Sequence, residues 1–177
     1  MKRGNKNPNQ EEAKSSCLII GTENVGKKSF ISGLKFGYQE TQSFSALGME
    51  MTILKKCINN RKIDILLWYT VCNIKFQKVI QKIFEKMKIC FLFYDVTNRE
   101  SLAWLYTKWE ELKNYPTSKN IIYMLIGNKC DLEDKREVSY DEGKEFADAR
   151  NFLFLETSTV SGKNIENAFF FLIYNYQ

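Results

Sequence analysis

The sequence predicts an α/β domain, a six-stranded and mostly parallel sheet with one antiparallel edge strand and helices on both faces. Two observations predict it. Three short, continuous, β-rich apolar runs, Ile89–Asp95, Ile121–Gly127 and Phe152–Glu156, alternate with helical stretches near 100–113, 139–150 and 164–175. Buried parallel strands joined by crossover helices read in this way. Ahead of them, Met49–Ile58 and Lys62–Trp68 are strand-like and are joined by Asn59-Asn60, residues that tolerate the positive φ of a tight hairpin turn. The chain's 177 residues are enough for one domain with a proper core and too few for two.

The elements follow in order. Residues 1–16 carry no large apolar side chain beyond Met1 and read as a disordered polar arm, so the domain is expected to span 17–177. Cys17–Ile20 is a buried-strand run ending in Gly21, and residues 27–36 suit a helix. Residues 74–88 place Phe76, Val79, Ile80, Ile83, Phe84 and Met87 at helical spacing, opposite a lysine-rich face. In open sheets of this kind ligands bind beyond the carboxyl ends of the strands. Gly21, Asp95, Gly127 and Thr157 stand there.

Composition removes several function classes. The chain has no His, which excludes His-based triads, His-ligated zinc and imidazole acid–base chemistry. Five widely spaced Cys residues, Cys17, Cys57, Cys72, Cys90 and Cys130, read as free thiols in a reducing compartment. The net charge of +5 is spread along the chain, with Lys27-Lys28 as its densest part near any motif, so nucleic acid is not an expected partner. Met1–Ser16 is polar and charged with no apolar core, so no secretory leader is expected, and no apolar run in the sequence reaches membrane-spanning length. A cytoplasmic location is expected.

Two motifs carry chemistry. Gly21-Thr22-Glu23-Asn24-Val25-Gly26-Lys27 follows a strand and opens a helix. It matches GxxxxGK, whose backbone N–H groups cradle phosphates while the lysine reaches the terminal ones. The next position should hold the Ser or Thr that ligates magnesium, and it holds Lys28, followed by Ser29. Taken alone, this imperfect match also fits a glycine-rich turn. Asn128-Lys129-Cys130-Asp131 directly follows the buried run Ile121–Gly127 in the NKxD pattern. There the Asp carboxylate accepts two N–H donors from guanine and the Lys stem lies along the base. An ordinary Asn/Asp turn is the bland alternative. Glu156-Thr157-Ser158-Thr159 closes the following strand, where a third base-contacting loop is expected.

Around these motifs the chain resembles the Rab family of Ras-like small GTPases. The resemblance rests on Phe93–Thr97, Trp109, Leu125–Leu132, Arg136–Ser139, Phe154–Ser158 and Asn164–Phe169, and runs over about 17–175. It implies a Ras-like P-loop fold and a guanine nucleotide, GDP or GTP, as cofactor. It also implies protein partners engaged through the switch regions, and work in intracellular vesicle trafficking. Nucleotide contacts then fall to Gly21, Glu23, Asn24, Val25, Gly26, Lys27, Lys28, Ser29, Asn128, Lys129, Asp131, Ser158 and Thr159. Thr159 replaces the usual Ala, and Val160 the usual Lys. Gln39 stands in place of the Phe that covers the base, with Tyr38 beside it.

The magnesium and hydrolysis residues depart from the family. Lys28 replaces the first metal ligand, and Ala46 replaces the switch Thr that binds metal and senses the γ-phosphate. Where the family reads WDTAGQE, this chain reads Trp68-Tyr69-Thr70-Val71-Cys72-Asn73-Ile74. The metal-orienting Asp is thus Tyr69, the γ-phosphate Gly is Cys72 and the water-positioning Gln is Asn73. Magnesium is therefore doubtful, no catalytic residue is assigned, and GTP hydrolysis is expected to be weak or absent. Lys28 is a candidate stand-in cation, or else points to solvent, and Glu23 is its expected partner in an empty site. The resulting expectation is a pseudo-GTPase interaction module. An active but slow GTPase and a structural subunit with an empty site are the alternatives. The chain ends at Gln177 without the prenylated Cys of the family, so membrane association is expected only through a partner or a missing tail, with a location peripheral to endomembranes.

Overall fold

The computed structural model describes residues 13–34, 39–46, 49–58, 61–70, 77–116 and 120–174. They form seven strands and five α-helices: β1 (Ala13–Gly21), α1 (Lys27–Leu34), β2 (Gln39–Ala46), β3 (Met49–Ile58), β4 (Arg61–Thr70), α2 (Gln77–Phe84), β5 (Ile89–Asp95), α3 (Arg99–Leu112), β6 (Ile122–Asn128), α4 (Tyr140–Asp148), β7 (Leu153–Thr157) and α5 (Ile165–Tyr174). The strands make one sheet in the order β2-β3-β4-β1-β5-β6-β7. β4, β1, β5, β6 and β7 run parallel, and β3 is antiparallel to both its neighbours.

The α/β class and the parallel sheet stand as expected, with two differences. The sheet has a seventh strand, because β2 pairs antiparallel with β3 through a bulge between Glu40 and Gln42 and takes over the edge. The expected polar arm also ends earlier than Ser16. Ala13–Ser16 already pair in register with Ile63–Leu66 of β4, since a backbone ladder needs no apolar side chains to form. The Asn59-Asn60 turn lies outside the described residues.

Alternation along the strands builds two cores. Cys17 and Ile19 of β1, with Phe91 and Phe93 of β5, face Phe30, Ile31 and Leu34 of α1 and Ile165, Ala168 and Phe169 of α5. Leu18, Ile20, Cys90, Leu92 and Tyr94 face the other way, against Phe84 of α2, Leu102, Leu105 and Leu112 of α3, and Phe146 and Ala147 of α4. Every residue of β5 is buried, as a central strand covered on both faces requires. Cys17, Cys90 and Cys130 are buried free thiols. Asn98 caps α3 by accepting from the Ser101 N–H, and Ser139 caps α4 by accepting from the Glu142 N–H. Among the described residues, no helix is long and apolar enough to cross a membrane.

Candidate functional site

The loop between β1 and α1 is shaped by its backbone. Asn24 has φ 61° and Gly26 φ 93°, left-handed conformations that only Gly adopts without strain and Asn tolerates. A Cβ on Gly26 would lie 2.2 Å from the Asn128 side-chain nitrogen, so position 26 has room only for hydrogen. At Gly21 a Cβ would meet the Phe93 carbonyl oxygen at 2.6 Å, which is how closely the end of β1 approaches β5.

Asn128 is fully buried at the end of β6. Its Nδ2 donates to the Val25 carbonyl at 2.9 Å, and its Oδ1 accepts from the Thr157 hydroxyl at 3.1 Å. One side chain thus ties the phosphate-type loop to the ends of β6 and β7. The loop after β6 is fixed further by the Cys130 N–H donating to the Thr157 carbonyl at 3.1 Å. Arg136 holds it too, spanning from Glu133 to Glu156 of β7, with Nη1 to Glu156 Oε1 at 2.6 Å.

These loops enclose a cavity of ≈ 530 Å³, within the range of small-molecule sites. Ten of the thirteen residues singled out from sequence line it: Glu23, Asn24, Gly26, Lys27, Lys28, Ser29, Asn128, Lys129, Asp131 and Thr159, joined by Thr70, Leu132 and Val160. Gly21 and Val25 stand behind, lending carbonyls to Lys27 and Asn128. Ser158 is buried, and its hydroxyl accepts from the N–H groups of Val160 and Ser161 at 3.2 and 3.0 Å. It shapes the third loop from inside. Asp131 is exposed at the rim and has no hydrogen-bond or ion-pair partner among the described residues. Lys129, at φ 65°, places its ammonium 2.5 Å from Asp95 Oδ2, fixing one end of a stem that lies on the cavity wall.

Two lysines govern the other end. Lys27 is buried, and its Nζ donates to the carbonyls of Gly21 at 2.8 Å and Thr22 at 2.5 Å. Burial pulls its ammonium down to about 8, with the nearby Glu23 charge opposing the shift. Lys28 lies on the first turn of α1 and reaches Glu50 of β3, Nζ to Oε1 at 2.8 Å. Its expected partner was Glu23. The strand register explains the difference: Glu50 sits directly opposite Tyr69 of β4, which is beside Ile19 of β1, so a carboxylate is delivered to the mouth of the phosphate-type loop. The Tyr69 hydroxyl donates to Glu50 Oε2. The hydrogen bonds from Lys28 and from Tyr69 hold the Glu50 carboxyl below its usual range.

Glu50 is the functional candidate that sequence reasoning missed. Its signal is faint: a single carboxylate in the run Met49-Glu50-Met51, meaningful only once its register against Tyr69 is known. Cys72 and Asn73 lie outside the described residues. Ala46 ends β2, and nothing is described of its side chain.

The comparisons with known proteins agree with this geometry. A model of the Ras family matches residues 16–177. The chain belongs to the Ras family. Within it, the similarity is to Rab proteins. The chain is 33% identical to the GTP-binding protein YPT1 of Saccharomyces cerevisiae over 152 residues, covering 86% of this chain and 73% of that protein. It is 32% identical to the Ras-related protein RabQ of Dictyostelium discoideum, covering 90% and 78%. It is also 32% identical to the human Ras-related protein Rab-19, covering 86% and 70%. This chain is thus a Rab-like member of the family.

Proposed function

We propose that this Rab-like protein is a guanine-nucleotide-binding interaction module of intracellular vesicle trafficking, with its metal-binding and hydrolysis residues degenerate. The observation that carries the proposal is the contrast between the two ends of one cavity. At one end Asn128 braces the loops while Asp131 presents a carboxylate unpaired among the described residues, the group that accepts the two N–H donors of guanine. Adenine offers no such pair of donors, and a carboxylate left unpaired on binding is costly. At the other end the donor set suits no magnesium ion. That hard cation demands oxygen ligands, yet an ammonium stands at Lys28 and a phenol at Tyr69, and the sequence has Ala46 where the family has a threonine. The Glu50 carboxylate is taken up by Lys28 and Tyr69.

Without a metal to neutralise phosphate charge, and with Asn73 in place of a water-positioning glutamine, hydrolysis loses the parts on which it depends. Glu23 at the cavity wall disfavours a γ-phosphate, so GDP is the preferred ligand. Partners are proteins that engage the switch segments. Nucleic acid is not among them, because the positive charge is dispersed. The protein works in the cytoplasm, and reaches endomembranes through a partner or a lipid-bearing tail. Identifying the nucleotide and metal that copurify with the protein tests this reading. GDP or GTP retained without turnover is expected. Turnover at the rate of an ordinary Rab, or a site that takes up no guanine nucleotide, contradicts it.

A further inference from the structure

At the metal end of the cavity, three elements meet through three side chains. Lys28 comes from the first turn of α1, Glu50 from β3 and Tyr69 from β4. Both oxygens of Glu50 are engaged, one by the Lys28 ammonium at 2.8 Å and the other by the Tyr69 hydroxyl. Lys28 nevertheless keeps 61% of its side chain exposed, and it lines the cavity. An ammonium has three N–H donors, so the pairing with Glu50 leaves two for an anion in the cavity. We propose that Lys28, Glu50 and Tyr69 together replace the divalent cation of this site: the nucleotide is held without metal, and the triad ties β3 and β4 to the phosphate-binding loop.

A divalent ion in a site of this kind does two things, giving positive charge to the phosphates and joining them to protein oxygens. Lys28 supplies the charge, as a single unit rather than two. Glu50 and Tyr69 supply the connection, holding the ammonium from the sheet side. The three side chains also explain one another. Lys28 without Glu50 would be an untethered charge, and Glu50 without Lys28 would set a bare carboxylate beside a phosphate site. Tyr69, which removes a carboxylate from the strand end, contributes the hydroxyl that occupies the remaining oxygen. β2 is paired to β3, so the tether reaches the edge of the sheet without passing through a γ-phosphate contact.

This inference rests on the proposed nucleotide binding, and two measurements separate them. The first is calorimetric titration of the full chain with GDP, in magnesium and in EDTA. Equal affinity within about threefold is expected, and a loss of about tenfold or more in EDTA overturns the replacement. Lys28→Ser should weaken GDP about tenfold or more in both buffers, and unchanged affinity overturns the charge role. The second measurement needs no nucleotide: a thermal double-mutant cycle of Lys28→Met and Glu50→Gln. Non-additive shifts uphold the tether, and additive shifts refute it. GDP binding in neither buffer, with coupled melting, refutes the nucleotide reading and the cation role while upholding the tether. GDP binding that requires magnesium upholds nucleotide binding and overturns the replacement.

Discussion

Lys27 carries its charge where burial opposes it, and this makes the site sensitive to pH in a defined direction. Its ammonium is lowered to about 8 against an ordinary 10.5. Between these values the unfolded chain binds more protons than the folded one, so this residue's contribution to stability rises with pH across that window. Binding runs the other way. An anion beside Lys27 favours the charged form, so nucleotide affinity should fall as pH rises through about 8. Calorimetry at pH 8 in buffers of different ionisation enthalpy should show proton uptake, which fades towards neutral pH. A flat profile would mean that Lys27 does not meet the phosphates. At the base end, Asp131→Asn should weaken GDP about 100-fold or more and shift preference towards xanthine nucleotides, whose donor pattern suits an amide. Competition titration with GDP and XDP reads this directly. Asn73→Gln should restore almost no turnover in a single-turnover assay, because residues that act as a unit do not add. These residues were legible because each sits at a fixed step in a short motif. Glu50 was not, because its role is set by a neighbour 19 positions away.

At the scale of elements, Asn128 is the brace on which the base-reading end depends. Asn128→Ala would leave the Val25 carbonyl and the Thr157 hydroxyl without their partner. A loss of about 1–3 kcal/mol follows, visible as a fall of several degrees in Tm. A smaller effect than from an exposed Asn substitution such as Asn114→Ala would contradict the brace. The same scale shows where sequence patterning succeeds and where it fails. β5 and β6 were legible as short continuous apolar runs, and α3, α4 and α5 as the helical stretches that alternate with such runs. β2 was not, since Gln39-Glu40-Thr41-Gln42-Ser43-Phe44-Ser45-Ala46 has no apolar alternation. Its strand state comes from the ladder offered by β3, a tertiary contact that local propensity does not encode. The start of β1 went unread for the same reason, with Ala13–Ser16 held by β4.

At the scale of the whole molecule, a Ras-family fold carries a cavity whose two ends differ in their side chains. The proposed base end is braced by Asn128, Thr157 and the Arg136–Glu156 pair. At the phosphate end a lysine, a glutamate and a tyrosine stand in mutual contact, and on the proposed reading they take the place of a metal. Fold and base site were legible together because they share the strand ends that the alternation of elements defines. The phosphate end was legible only as a set of departures from the family pattern, and the contact among Lys28, Glu50 and Tyr69 emerges from three-dimensional register. On the proposed reading, guanine is still recognised while hydrolysis has gone. One measurement addresses it most directly: γ-labelled GTP mixed with excess protein and magnesium in a single-turnover experiment, run beside YPT1 and with ATP as competitor. Label should be retained on the protein as intact GTP, ATP should not displace it, and phosphate release should be far slower than from YPT1. Phosphate release at the rate of YPT1, or displacement of the label by ATP, would contradict that reading.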